Sequence, residues 1–246
     1  MNILVTNDDG IESPGIKTLA EVLETLGDVI TVAPEEEQSG ISHAISMHRS
    51  LNIRRCSESK FAVDGTPSDC IALAVSVIMK KKPDLIASGI NNGPNMAEDI
   101  TYSGTVSAAV EGTLRGIPSF AVSLFARDNF NYNTAGLVSV RIASLILENG
   151  LPPHILLNVN VPNIEPSMLM SYKITRQGRR IYSNTVSENQ NQKGEKHYLF
   201  RRDGLKFKDI LDSDYNAVKN NHVSITPLHL DLTCYSSIKE ISKWQF

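Results

Sequence analysis

The sequence predicts an α/β protein that has a mostly parallel sheet with helices on both faces and a β-rich C-terminal arm. Short apolar runs alternate with segments of helical period over the first 160 residues. This alternation is typical of a parallel sheet covered by helices. After Pro162 the chain becomes polar and loses the helical period. We therefore expect a core at 1–162 and a C-terminal extension at 163–246.

The first elements of the core have clear signals. An apolar run predicts a buried strand at 3–6. Apolar side chains at three- and four-residue steps, with a proline near the start and a glycine at the end, predict a helix over 14–27. A second strand at 28–33 stops at a proline. Residues 44–64 predict a hairpin or a pair of edge strands.

Strands and helices continue to alternate in the rest of the core. A threonine–proline pair is typical of an N-cap followed by a first-turn proline, and it opens a predicted helix over 66–79. The elements predicted after it are a strand at 84–90, a helix at 103–115, a strand at 117–124, a helix at 134–148 and a strand at 155–161.

The C-terminal extension has a different texture. Residues 165–220 are polar, and their isolated apolar side chains indicate strands or extended arms. Such a stretch rarely packs alone, so we expect it to reach over the core or into a neighbouring subunit. A last strand at 223–228 returns to the core, and a short helix at 236–245 follows.

Composition restricts the class of protein. Of the 246 residues, 41% are hydrophobic and 21% charged, and the net charge is 24 − 27 = −3, as in soluble globular proteins. A dedicated nucleic-acid binder would carry a basic excess. The longest apolar stretch, 71–79, is far shorter than the roughly 20 residues of a membrane span. Without a signal peptide, and with three scattered cysteines, we expect a cytoplasmic protein with reduced thiols.

Polar side chains follow three of the predicted strands. Asp8 and Asp9 follow the first strand, Gln38 and Ser39 follow the second, and a loop with Asn91, Asn92 and Asn95 follows the strand at 84–90. Ligands of open α/β sheets bind beyond the carboxyl ends of the strands, so these side chains can converge. An all-oxygen donor set suits Mg²⁺ or Mn²⁺. The alternative is that Asn7–Gly10 is an ordinary turn.

A second candidate feature is the start of the helix at 103–115. Ser103, Gly104 and Thr105 are small, and free N–H groups at a helix start favour a phosphate. An ordinary Ser/Thr cap explains the same residues. Together with a metal site, the phosphate interpretation predicts hydrolysis of phosphate esters. Asp8 or Asp9 would orient or deprotonate the water, and the sequence leaves open both that choice and an aspartyl-phosphate intermediate.

Spacing argues against several other types of site. The dinucleotide fingerprint, the P-loop and the G-x-S-x-G elbow are absent from the sequence. Phosphatases of the haloacid-dehalogenase type need carboxylates two residues apart, whereas these are adjacent. Ser39 as a nucleophile, and a protein that binds nucleotides without hydrolysing them, are further alternatives. His43 is a candidate substrate contact or a structural residue, and the basic run 175–180 contacts a substrate, solvent or another subunit.

Motifs in order along nearly the whole chain resemble those of the SurE family of survival proteins with 5′/3′-nucleotidase activity. The matching segments are VTNDDGI, APEEEQSG, GTPSDC, PDLIASGINNGPN, YSGTV, LLNVNVP, TRQGRR and VSITPL. The resemblance implies a Rossmann-like core and a C-terminal extension used in dimer or tetramer assembly. It implies hydrolysis of nucleoside monophosphates, and in some relatives of short polyphosphate.

The resemblance also implies specific site residues. One divalent metal per subunit would be held by Asp8, Asp9, Ser39 and Asn91. Asn95 and the turn Ser103-Gly104-Thr105 match positions near the substrate phosphate. The chain departs from the family pattern in its last third, where 193–204 lacks a tryptophan and 212–214 reads DSD in place of GTD. These departures bear on base preference, on 5′ versus 3′ preference and on subunit contacts.

Overall fold

The structure, a computed structural model, describes residues 1–181, 184–190, 194–202 and 206–245. The strands in this part of the chain are β1 (Asn2–Thr6), β2 (Asp28–Pro34), β3 (Ile53–Arg55), β4 (Lys60–Val63), β5 (Leu85–Asn92), β6 (Ser119–Phe125), β7 (Ile155–Pro162), β8 (Tyr172–Ile174), β9 (Asn184–Gln190), β10 (Lys196–Arg202) and β11 (Val223–His229). The α-helices are α1 (Pro14–Leu23), α2 (Pro67–Leu73), α3 (Gly104–Leu114), α4 (Tyr132–Asn149), α5 (Asp214–Lys219) and α6 (Tyr235–Ile241).

The described strands form one large sheet and one small one. The large sheet has the order β3-β4-β2-β1-β5-β6-β7-β11-β8. All pairs from β4 to β7 are parallel, while β3 and β11 pair antiparallel with β4 and β7. The prediction of a mostly parallel sheet is confirmed, and so is the edge pair within 44–64. Strands β8 and β11 of the C-terminal segment extend the same sheet.

Helices cover both faces of the sheet, as predicted. Ile3 and Val5 of β1 pack in the same cluster as Ile16 of α1 and Ile142 of α4. Leu4, between them, joins the cluster that contains α2 and α3. Alternate residues of a strand point to opposite faces, so each face of β1 has its own helix pair.

The C-terminal segment shows what the sequence did not predict. Helix α5 lies within the stretch that was expected to be extended. The sequence did not reveal it, because six residues capped by Ser213 are too few to show a helical period. Strands β9 and β10 form a separate antiparallel pair, which is the β-rich arm. Parts of the predicted arm, at 182–183, 191–193 and 203–205, lie outside the described residues.

Helix α1 approaches β5 at a glycine next to the site. A Cβ on Gly15 would lie 2.0 Å from the carbonyl oxygen of Ile90, which precedes Asn91. We expect Gly15→Ala to lower the free energy of unfolding by about 1–3 kcal/mol, since the helix must move away from a closely packed sheet. Urea unfolding of Gly15→Ala measures this, with exposed Lys17→Ala of the same helix as control. Equal midpoints for both variants would contradict the packing.

Candidate active site at the carboxyl edge of the sheet

A cavity opens at the carboxyl ends of β1 and β5. Strand β1 pairs with β2 on one side and with β5 on the other. The order of the strands along the chain therefore reverses between β1 and β5, which makes this a topological switch point. Crevices at such a switch point are the usual ligand sites of open α/β sheets. The cavity has a volume of about 440 Å³. Its lining comprises Asp8, Ser39, Gly40, Asn91, Asn92, Gly93, Pro94, Asn95, Asp99, Tyr102, Ser103, Ala126, Arg127 and Arg180.

Asp8 is the most buried acidic group of the cavity, with 4% of its surface exposed. The Thr105 hydroxyl donates a hydrogen bond to Asp8 Oδ1. The Asp8 carbonyl accepts from the backbone N–H of Gln38 at 2.7 Å, which ties the first strand end to the Ser39 loop. Burial raises the pKa of Asp8, although hydrogen bonds from Thr105 and from backbone N–H groups oppose that rise.

Asp9 lies beside a second acidic residue, Glu37. Burial raises the pKa of Asp9 to about 7, and the charges of Asp8 and Glu37 act in the same direction. Asp9 Oδ2 accepts from the backbone N–H of Asn92 at 3.1 Å. The Ser39 hydroxyl donates to Glu37 Oε1 at 2.6 Å. Glu37, within the run that precedes Ser39, therefore orients the hydroxyl, a role that sequence reasoning missed.

The asparagines at the end of β5 and just after it are fixed by hydrogen bonds. Asn91 Nδ2 donates to the Gly93 carbonyl at 2.7 Å, so the amide oxygen is left for a ligand. Asn95 is buried, and its Nδ2 donates to the Ser123 hydroxyl at 2.9 Å. The Tyr132 hydroxyl donates to Asn92 Oδ1, which links α4 to this loop.

The start of α3 points at Asp8. Ser103 is the N-cap, and its Oγ accepts from the Val106 N–H at 3.0 Å, so its own O–H is available to a ligand in the cavity. Thr105 is fully buried, and its hydroxyl is hydrogen-bonded to Asp8 rather than facing the cavity lining. A Cβ on Gly104 would lie 2.9 Å from Asp8 Oδ2. Of the three residues of this turn, Ser103 alone lines the cavity, and the fourth residue predicted near the phosphate, Asn95, lines it as well.

His43 is not brought to this cavity. Its Nε2 lies 3.0 Å from Oε2 of Glu111, and Arg115 holds the other oxygen of that carboxylate at 2.7 Å. His43 lines a different, larger groove of about 760 Å³ between α3 and β11. The structure therefore favours the structural alternative for this histidine.

The basic run 175–180 contributes one residue to the cavity, Arg180. Its guanidinium forms a buried ion pair with Asp99 and lies over the ring of Phe207. Arg127, exposed after β6, also lines the cavity. Neither Asp99 nor Arg127 stood out in the sequence, because nothing local distinguishes them from surface residues.

The donor set fits a hard divalent cation. Asp8 is buried and Asp9 is half-buried, both have raised pKa values, and the charged groups that raise the pKa of Asp9 are themselves carboxylates. A cation between them relieves both burial and repulsion. Within the described residues, no cluster of three or more His, Cys, Asp and Glu side chains could hold a metal. Hydroxyl and amide oxygens beside these carboxylates would make an all-oxygen donor set, which suits Mg²⁺ or Mn²⁺ better than Zn²⁺.

The raised pKa of Asp9 predicts how the metal-free protein responds to pH. The pKa is 3.8 ordinarily and about 7 in the fold, so the folded state holds this proton more tightly. The resulting stabilisation is lost as pH rises from about 4 to 7. In EDTA, we expect the Tm of Asp9→Asn to exceed that of the unaltered protein by more at pH 8 than at pH 5. Excess Mn²⁺ should reverse the difference at pH 8; a pH-independent difference would contradict this.

The mostly parallel sheet and the oxygen-lined, acidic cavity at its switch point place the chain among α/β proteins with a ligand site suited to a cation. Comparison with known proteins identifies the family. Residues 3–184 match the family model "Survival protein SurE". The chain is 46% identical over 246 residues to "5'-nucleotidase SurE" of Geotalea daltonii, covering 100% of this chain and 99% of that one.

Two further relatives agree. The Myxococcus xanthus "5'-nucleotidase SurE" is 48% identical over 246 residues, with 99% of this chain and 93% of the relative covered. The crystal structure of the SurE protein from Aquifex aeolicus superposes with a TM-score of 0.89 at 44% identity and covers 99% of each chain. The chain belongs to the SurE family. No helix in the described ranges has the length and apolarity that a membrane span requires.

Proposed function

We propose that this protein is a metal-dependent 5′-nucleotidase that hydrolyses nucleoside monophosphates to nucleoside and phosphate. The observation that carries the proposal is the convergence of four side chains on one cavity, namely Asp8, Ser39, Asn91 and Ser103. Asp9 is hydrogen-bonded to the backbone of Asn92, which also lines this cavity. Relatives of full length with that name support it. Action on 3′-nucleotides and on short polyphosphate belongs to the same proposal.

Each residue has a part in the proposed reaction. Asp8, Asp9, Ser39 and Asn91 would hold one Mg²⁺ or Mn²⁺ per subunit. When bound, the cation stabilises the charge of the phosphoryl group as it is transferred to water. Ser103 and Asn95 donate hydrogen bonds to the phosphate oxygens. Asp8 or Asp9 would orient the attacking water or accept its proton.

The proposal includes assembly into a homodimer or homotetramer in the cytoplasm, without a stable nucleic-acid partner. The groove between α3 and β11 is lined by Leu228, Leu230 and Leu232, and Leu232 is 93% exposed. Ile238 on α6 is exposed as well, and so is Trp244, which follows α6 in the chain. Apolar surfaces of this kind mark subunit interfaces. The extension from 163 onward would serve this assembly, and residues 1–162 would form the catalytic core.

Phosphate release tests the activity. We expect release from 5′-nucleoside monophosphates with Mg²⁺ or Mn²⁺ and none with EDTA. A panel of 5′- and 3′-nucleotides and short polyphosphate, each with EDTA, Mg²⁺, Mn²⁺ or Zn²⁺, ranks the substrates and metals. If folded protein releases no phosphate with any metal yet binds nucleotide by calorimetry, the protein is a nucleotide-binding protein and the proposal fails.

A further inference from the structure

Two asparagines of β7 lie under the loop that carries Asn95. Asn158 and Asn160 are fully buried and, being two positions apart, project from the same face of the strand. Asn158 Nδ2 donates to the Asn95 carbonyl at 2.8 Å, and Asn160 Nδ2 donates to the same oxygen at 3.0 Å. Asn160 Oδ1 accepts from the Asn95 N–H at 2.9 Å. One strand thus holds both backbone polar groups of Asn95.

The neighbouring strand holds the side chain. Ser123 of β6 lies opposite Asn160 in the sheet register and accepts from Asn95 Nδ2. An amide nitrogen carries two hydrogens, so one N–H of Asn95 stays available to a ligand in the cavity. Because the carbonyl, the N–H and one amide hydrogen are all fixed, the direction of the remaining N–H is fixed too.

Stability alone does not explain Asn158. Its Oδ1 is buried without a hydrogen-bond partner, which costs stability. The Asn95 carbonyl would keep its bond from Asn160 if Asn158 were absent. An apolar side chain of similar shape at 158 would therefore remove an unsatisfied oxygen without creating a new one.

We infer that Asn158 and Asn160, together with Ser123, are positioning residues that aim the amide of Asn95 at the phosphoryl group. This inference rests on the proposed function. It assigns to a buried polar layer of the sheet the task of fixing a phosphate contact before substrate arrives, so that no ordering is needed during reaction.

Asn158→Leu tests the inference. We expect kcat/KM for a nucleoside monophosphate to fall about 10-fold or more, since a small displacement of a phosphate contact is costly. The Tm should be unchanged or higher. The inhibition constant of the product nucleoside, which lacks the phosphate, should be unchanged. A merely structural role would lower the Tm and alter nucleoside binding as well.

Thr226→Val is the matched control. Thr226 is buried opposite Asn158 in β11, and its hydroxyl bonds to Thr175 rather than to Asn95. We expect its kcat/KM to equal that of the unaltered protein. If Asn158→Leu does not fold, Ser123→Ala decides the question by the same measurements. Unchanged kcat/KM in the folded variants overturns the inference and leaves the nucleotidase proposal standing. Absence of turnover in the unaltered protein overturns both.

Discussion

Asp9→Asn is expected to reduce phosphate release by more than about 100-fold while the protein stays folded. Loss of an outer partner of a metal ligand already costs 10- to 100-fold, and this change removes the charge of a proposed ligand itself. The asparagine oxygen can still accept the hydrogen bond from Asn92 N–H, so the local geometry is kept. Asp8→Asn should behave alike, because its oxygen can still accept from Thr105.

The measurement is a steady-state rate at saturating Mn²⁺, beside a Mn²⁺ titration of each variant. Asp28→Asn, which changes an exposed carboxylate at the start of β2, is the control and should keep full activity. Thermal unfolding in EDTA shows whether each variant folds. Near-normal turnover in either Asp8→Asn or Asp9→Asn would refute the assigned site.

The sequence predicts the catalytic edge of the sheet well because two short-range rules suffice. Apolar runs place the strands, and parallel strands end at one edge, so Asp8, Ser39 and the asparagines after the strand at 84–90 could converge. The family resemblance singled out Asn91 among them. In the structure, Asp8, Ser39 and Asn91 line one cavity, and Asp9 accepts a hydrogen bond from the backbone of Asn92 beside them. Their roles as metal ligands stay a proposal.

What the sequence could not predict depends on contacts between distant segments. The Arg180–Asp99 pair joins residues about 80 positions apart, and neither residue has a local pattern that marks it. His43 follows the Ser39 loop in sequence, yet its partner is Glu111 of α3, and it lines the groove between α3 and β11 rather than the cavity. A polar residue beside a site in sequence can thus be turned away from it, and only the fold decides.

A second large loss of activity is expected from a substitution at Gly104, the first residue of α3. A Cβ there would lie 2.8 Å from Asp8 Cβ and 2.9 Å from Asp8 Oδ2. Asp8 is buried and held by Thr105, so it cannot move aside without losing that hydrogen bond. We expect Gly104→Ala to lower kcat/KM by about 100-fold, the effect of a displacement near 1 Å at a reacting centre. The Mn²⁺ affinity should fall with it.

Alanine at this position favours the helix, so the expected loss of activity comes from displacement of Asp8 rather than from unfolding. Gly136→Ala on α4 is the matched control, because the three atoms nearest to its Cβ belong to the side chains of Val22 and Thr18, which do not line the cavity. Steady-state kinetics, a Mn²⁺ titration and the Tm of both variants separate the two causes. Gly104→Ala with unchanged kcat/KM would mean that the position of Asp8 does not limit the reaction. If the activity loss came with a large fall in Tm, the cause would be damage to the α3–sheet packing.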